Sequence, residues 1–206
     1  MTEAAQAIRR GRKYDQVLEG ARTVFMDAGF EGAGVDEIAR QAGVSKATLY
    51  SYFPDKRLLF LEVVRAEILR QADAAGAAID VTAPPEMVLR AAGRRIVAFY
   101  TSRFGRNVHR ICLAEAGRFP ELGRRYYASG TALARERLGA YLAAACARDE
   151  LAIDDIDLAA DQFVKLCEAD LFDRVACGVQ TQFTGAEISR VVDGAVAMFL
   201  ARYCAR

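Results

Sequence analysis

Apolar residues recur at spacings of three and four along almost the whole 206-residue chain, and no run alternates apolar and polar residues as a half-buried strand would. That period, interrupted by only four prolines, constrains the chain to an all-α fold. A hydrophobic fraction of 53% is ample for a core at this length and excludes a disordered chain. The 28 basic and 27 acidic residues nearly cancel, so any nucleic-acid function must come from local placement of charge.

Punctuation divides the period into about nine helices. From Tyr14, the residues Val17, Leu18, Ala21, Val24, Phe25 and Ala28 define the first, and Gly29 supplies its stop. Val35, Ile38, Ala39 and Ala42 define a short second helix ending at Gly43. Ser45 is a good N-cap for a third, running through Lys46, Ala47, Thr48, Leu49 and Tyr50 to about Phe53, before Pro54 ends it. Asp55 caps a fourth with apolar positions from Leu58 past Leu69. Longer helices are expected over 86–103, 107–119, 121–148, 157–177 and 185–205, separated at Gly105, Pro120, 153–157 and 178–184.

Two short helices joined by a tight glycine turn, the second polar on one side, form the geometry that presents a helix to the DNA major groove. Val44, Leu49 and Phe53 can face a small three-helix core while Lys46, Ala47, Thr48, Tyr50 and Tyr52 share the opposite side. The residues Gly29-Phe30, then Val35, Ile38, Ala39, Ala42-Gly43-Val44-Ser45-Lys46, Thr48-Leu49-Tyr50, Tyr52-Phe53, Lys56 and Leu59 resemble the N-terminal signature of the tetracycline-repressor (TetR) family of transcriptional regulators. The resemblance implies that Ser45, Lys46, Thr48, Tyr50 and Tyr52 contact DNA, with Lys56 reaching a phosphate from the start of the fourth helix. It also implies a basic arm over 1–13, a helix-turn-helix domain over 14–57 with the motif at about 34–53, and an effector-binding and dimerisation domain over 58–206.

Chemistry is consistent with those roles. Lysines neutralise phosphates, hydroxyls donate to phosphate oxygens, and Ala47 is short enough to approach a thymine methyl. Ahead of the first helix, Arg9, Arg10, Arg12 and Lys13 form a basic run suited to the DNA backbone, with Arg12 and Lys13 the better placed, although a solvated charged terminus explains it nearly as well. The chain departs from the family where relatives place a Thr/Ser pair before the second helix: it has Ala33-Gly34, so Gly34 must serve as the N-cap without a side-chain hydroxyl.

The family resemblance implies a homodimer that packs its last two helices into a four-helix bundle. Phe163, Leu166, Ile188, Val192, Ala195 and Phe199 are the expected interface, unless those stripes cover the monomer's own core. The stretch from Ile111 to Leu122 resembles regulators with an AefR-like C-terminal domain. An effector pocket is expected between the fourth and seventh helices, with Phe99, Tyr100, Phe104, Ile111, Glu115, Phe119 and Tyr126 as candidate lining; each is otherwise plain core.

No nucleotide-binding, zinc-protease or serine-hydrolase motif is present, and the single histidine, His109, reads as a surface or groove-edge residue without metal or acid–base partners. No cofactor or metal is expected. The five cysteines are scattered without a C-x-x-C pair and read as packed, reduced thiols. Without a membrane-length apolar run or an apolar leader, a cytoplasmic location is expected. The expected function is sequence-specific binding of a palindromic double-stranded operator by a repressor that a small-molecule effector releases. The alternative is an effector-independent DNA-organising protein on the same fold.

Overall fold

The computed structural model describes residues 11–76 and 82–205. Among the described residues the chain is all-α, with no strand: α1 (Arg12–Gly32), α2 (Val35–Gln41), α3 (Lys46–Tyr52), α4 (Lys56–Gly76), α5 (Pro85–Thr101), α6 (Arg103–Ala116), α7 (Pro120–Tyr127), a π-turn (Ala128–Ala132), α8 (Leu133–Ala147), α9 (Ile156–Glu168), α10 (Leu171–Ala176) and α11 (Gly185–Tyr203). These are eleven α-helices rather than the nine expected. The helix expected over 121–148 is α7 and α8 joined by the π-turn, whose Ser129, Gly130 and Thr131 are weak helix formers. The helix expected over 157–177 is cut at Asp170, whose φ of 65° lies in the left-handed region that no helix continues through. Arg174 and Arg190 both pair with the Asp170 carboxylate and hold it there.

The break expected at Gly105 falls instead at Ser102, which leaves helical geometry with ψ at 149°. Its hydroxyl donates to the Phe99 carbonyl at 2.7 Å and accepts from the Gly105 amide at 2.9 Å. Gly105 lies inside α6, where a Cβ would fall 2.0 Å from the Phe99 carbonyl oxygen, so only glycine lets the two helices turn so closely. Gly29 breaks α1 as expected, with φ at 71°, but one more helical turn follows it to Gly32.

One core joins the head to α4 and α6. Val17, Ala21 and Phe25 of α1, Ile38 of α2, Leu49 of α3, Leu59, Phe60 and Val63 of α4, and Val108 and Cys112 of α6 are all buried in it. The boundary expected after residue 57 therefore cuts through a packed unit: α4 is continuous, and its first turns complete the head. Between α1 and α4, Glu67 is 4% exposed and takes hydrogen bonds from Arg22 at 2.9 Å and Arg70 at 2.7 Å. Two guanidiniums offset the desolvation of that carboxylate and lock the pair of helices in register.

A second core is built by α5, α8, α9, α10 and α11, with Leu89, Leu142, Phe163, Leu171, Val192 and Phe199 fully buried. The helix α11 begins with a capping box in which Thr184 and Glu187 satisfy each other's backbone amides. That network holds the Glu187 carboxyl below its ordinary range. Cys112 and Cys167 are buried, and burial pushes both thiols up to about 12. Cys177 and Cys204, by contrast, are exposed, so the expectation that all five thiols are packed fails at these two. Among the described residues no helix is long and apolar enough to cross a membrane.

Candidate nucleic-acid interface

The turn between α2 and α3 needs Gly43, whose φ of 63° is strained for any side chain. Ser45 then caps α3: its hydroxyl accepts from the Thr48 amide at 3.1 Å and lies 2.9 Å from the Thr48 hydroxyl. From behind, α3 is anchored by Leu49 and Phe53, 1% and 3% exposed. Lys46, Ala47 and Tyr50 project outward on the opposite side, Tyr50 at 46% exposure. A helix held by two buried residues and showing a lysine, a methyl and a phenol to solvent has the shape and chemistry to enter a groove and meet phosphates and base edges.

Several expected DNA residues have further ties within the chain. The Lys46 ammonium lies 2.6 Å from the Asp36 carboxylate, across the turn from the first turn of α2. That pairing raises the Lys46 pKa, first through the hydrogen bond and then through the charge. Thr48 is half-buried, and Tyr52 is half-buried with its ring edge-on to Tyr14 at 5.8 Å between centroids. Gly34 is the N-cap of α2, exposed, with no side-chain cap.

Two placements correct the sequence reading. Lys56 does not extend toward a phosphate. Its ammonium donates to the Phe30 carbonyl at 2.9 Å and the Ala33 carbonyl at 3.2 Å, and sits 4.4 Å from the Phe30 ring centroid. The C-terminal end of α1 leaves those carbonyls without helical partners, and a cation at a helix C-terminus is favoured by the dipole as well. Arg12 and Lys13 are exposed, but they form the first turn of α1 rather than an arm. Arg9 and Arg10 lie outside the described residues.

The expected effector residues divide between two environments. Phe104, Ile111, Phe119 and Tyr126 pack against the core shared with the head, and Phe119 stacks under the Arg57 guanidinium at 4.2 Å. Phe99 touches Tyr100 and Phe104 edge-on. Tyr100 and Tyr126 meet a residue that sequence analysis set aside. His109 is half-buried, in keeping with the groove-edge alternative, with Nδ1 2.9 Å from the Tyr126 hydroxyl and its ring edge-on to Tyr100, Tyr126 and Phe172. Burial lowers the His109 pKa and raises both phenols, with the Glu168 carboxylate adding to the rise at Tyr100. Phe172 and Glu168 have no motif to mark them, since α9 and α10 bring them in from 60 residues further along the chain. The side chain of Glu115 lies outside the described residues. A groove of about 410 Å³ between α1 and α4, lined by Tyr14, Leu18, Arg65 and Leu69 among others, lies at the head rather than in this region.

The expected dimer stripe is mostly internal. Phe163, Val192, Ala195 and Phe199 are at most 2% exposed in the single chain, because α5 fills the angle between α9 and α11 and covers them. Leu166 and Ile188 are half-buried against the same core. The apolar surface these helices leave open is a different one: Gly194, Ala197, Met198 and Ala201 along α11, with Leu158 on α9.

The fold and the outward face of α3 define a helix-turn-helix DNA-binding regulator carried on a larger helical body. Residues 17–63 match the family described as bacterial regulatory proteins, tetR family, and residues 87–205 match the AefR-like transcriptional repressor C-terminal domain. The chain belongs to the TetR family of transcriptional regulators and carries the AefR-like C-terminal domain; it is a regulator, not an enzyme.

It is similar over 83 residues, at 39% identity, to the HTH-type transcriptional activator FasR of Mycolicibacterium smegmatis, covering 40% of this chain and 38% of that one. Over 58 residues it is 38% identical to the repressor AcnR of Corynebacterium efficiens, covering 28% of this chain and 31% of that one. The match thus spans well under half the length of the curated relatives, 38% of the first and 31% of the second. Whole-chain likeness is found to solved structures. A TetR-family regulator from Mesorhizobium loti is 28% identical, with a TM-score of 0.83 over 94% of this chain and 97% of that one. The flavonoid-responsive regulator FrrA is 33% identical, with a TM-score of 0.71 over 96% of this chain and all of that one.

Proposed function

We propose that the chain is a repressor that binds a palindromic operator as a homodimer in the cytoplasm and leaves it when a small aromatic effector binds the C-terminal domain. The observation that carries DNA recognition is the outer face of α3, Lys46, Ala47 and Tyr50, held rigid by Leu49 and Phe53. Repression is supported by the AefR-like repressor domain over 87–205, and an aromatic effector by the likeness to a flavonoid-responsive regulator. A two-fold dimer places two recognition helices about 34 Å apart, one turn of duplex, and so reads both halves of a palindrome. The open stripe of Gly194, Ala197, Met198 and Ala201 with Leu158 supports pairing through α9 and α11, since small residues let helices approach closely.

Release then follows from coupling. An effector that favours a conformer with wrongly spaced recognition helices needs only about 1 to 3 kcal/mol of coupling per site to lower operator occupancy. The test is selection of bound genomic fragments, followed by operator titration with and without hydroxylated aromatic compounds and a reporter driven from the selected site. Recovery of a palindrome, silencing of the reporter and release by a compound support the function. Binding without sequence preference sinks operator recognition, and activation of the reporter sinks repression.

A second function, effector-independent organisation of DNA, is favoured by one observation: Phe104, Ile111, Phe119 and Tyr126 pack against the head's core. The same titration separates the two, because an organising protein stays bound whatever compound is added.

A further inference from the structure

Five helices bring polar and aromatic groups together at one place: Tyr100 from α5, His109 from α6, Tyr126 from α7, Glu168 from α9 and Phe172 from α10. A purely structural contact between helices is most cheaply filled with aliphatic side chains, and this one instead holds two phenols, an imidazole and a carboxylate, all half-buried. The Glu168 side chain is 11% exposed, and Lys165 reaches it from the surface at 2.6 Å. The rings meet nearly at right angles, 78° between Tyr100 and Phe172 and 87° between His109 and Phe172, with His109 and Phe172 only 4.9 Å apart. The chain's own Tyr126 places a hydroxylated aromatic ring on this cluster, with its phenol oxygen 2.9 Å from His109 Nδ1.

We propose that this cluster is the effector site, that it takes a planar aromatic molecule carrying a protonated hydroxyl, and that the ligand's hydroxyl replaces Tyr126 on His109. The assignment rests on the effector-regulated function proposed for the chain. Three features select the class. His109 presents a ring nitrogen that hydrogen-bonds a phenol, and Phe172 offers an aromatic wall for edge-to-face contact. Glu168, held between Lys165 and Tyr100, repels a phenolate or a carboxylated aromatic, which leaves the uncharged hydroxyl form. Burial lowers the imidazole pKa and so disfavours its cationic form, which weakens any pull on anions. Tyr126 can give way because it lies on the short α7, two residues before the π-turn at Ala128–Ala132, a type of irregularity that concentrates at functional sites.

The experiment titrates the full-length protein with 2-naphthol and with 2-methoxynaphthalene, which has nearly the same shape but cannot donate, and measures operator release in parallel. The expected result is about tenfold or more tighter binding of 2-naphthol, because a site built around a hydroxyl rejects the analogue whose donor is missing. His109→Phe, checked for helicity by circular dichroism, reduces that ratio to about one. Tyr126→Phe works in the opposite direction: removing the competing internal phenol tightens 2-naphthol, a gain that misfolding cannot imitate. Equal binding of the two probes, an unchanged ratio in His109→Phe, or no gain in Tyr126→Phe overturns the site. Hydroxyl-selective binding that leaves the operator occupied keeps the site and defeats effector release, whereas release by compounds with no hydroxyl preference does the reverse.

Discussion

The Arg57 guanidinium lies 4.2 Å from the centroid of the Phe119 ring, joining the first turn of α4 to the N-cap of α7. Arg57 also reaches the Asp55 carboxylate at 3.2 Å, so its plane is held while the ring stacks beneath it. This contact connects the helix that leaves the DNA-binding head to the segment that carries Tyr126. Replacing Phe119 by Leu keeps apolar volume but removes the ring face, a loss of about 1 kcal/mol for a partly exposed cation–π pair. Operator affinity is expected to fall about fivefold while binding to random-sequence duplex is unchanged, as measured by fluorescence anisotropy. An equal fall on both duplexes would show that the contact does not set the spacing of the recognition helices.

The two lysines of the motif region are expected to separate cleanly. Lys46 is exposed on α3, and Lys46→Ala should weaken operator binding without altering the urea midpoint. Lys56 is committed to the carbonyls of Phe30 and Ala33, and Lys56→Met should lower folding stability by about 1 to 3 kcal/mol, the range for hydrogen bonds from a charged donor. Urea unfolding checks the second variant, and a stable Lys56→Met that has lost only DNA binding would return Lys56 to the phosphate role.

Asp36 is a negative charge beside the face proposed to meet DNA, 80% exposed and 2.6 Å from Lys46. It repels phosphates and occupies the cation that would neutralise one. Asp36→Asn frees Lys46 for the backbone, so binding to random-sequence duplex should tighten more than binding to the operator. The slope of log affinity against log salt should steepen by about one, the signature of one more phosphate neutralised. A salt titration with both duplexes measures this, and an unchanged slope would mean that Lys46 leaves Asp36 for a phosphate in every complex.

His109 makes stability depend on pH in a defined direction. It faces Tyr100, Tyr126 and Phe172, with Glu168 and Lys165 of α9 acting on it through their charges. Desolvation lowers its pKa in the fold, Lys165 adds to that, and Glu168 opposes both. Between the folded pKa and the ordinary value near 6.5, the unfolded chain binds more protons, so stability rises with pH. The contribution is complete above about pH 6.5 and is lost as pH falls through that value toward the folded pKa. Thermal melts from pH 8 to pH 5 should therefore show a decline that is shallower in His109→Phe. Parallel declines would assign the acid sensitivity to carboxylates held low in the fold, such as Glu187.

The head is legible in the sequence because its information is local. Gly43 sets the turn, Ser45 caps the next helix, and Leu49 and Phe53 repeat at the spacing of one buried face. The C-terminal part is less legible, because its assignments depend on which helix lies against which. An apolar stripe on α11 reads the same whether α5 or a second subunit covers it, and α5 does. Glu168 and Phe172 join His109 only through tertiary packing, and the role of Lys56, at the start of α4, depends on where α1 ends, three helices earlier. Helix breaks at Ser102 and Asp170 were hidden for a related reason: each is fixed by contacts that its own residue type only permits.

The proposed dimer face offers the sharpest contrast between neighbours in sequence. Met198 is 63% exposed and Phe199 is 1% exposed, one residue apart on α11. At a helical step of about 100°, they point to opposite sides of the interface question. If α9 and α11 pair two subunits through the open stripe, Met198→Glu and Ala197→Arg place buried, unpaired charges against their symmetry mates. Each should convert the dimer to a folded monomer by light scattering, with unchanged helicity, and weaken operator binding far more than a single half-site loss would. Phe199→Ala removes a ring that packs against Phe163 at 5.4 Å and Tyr203 at 4.8 Å, and should destabilise the protomer by about 3 to 5 kcal/mol. Monomers from Phe199→Ala with full protomer stability, or dimers from both charge variants, would move the interface away from this face.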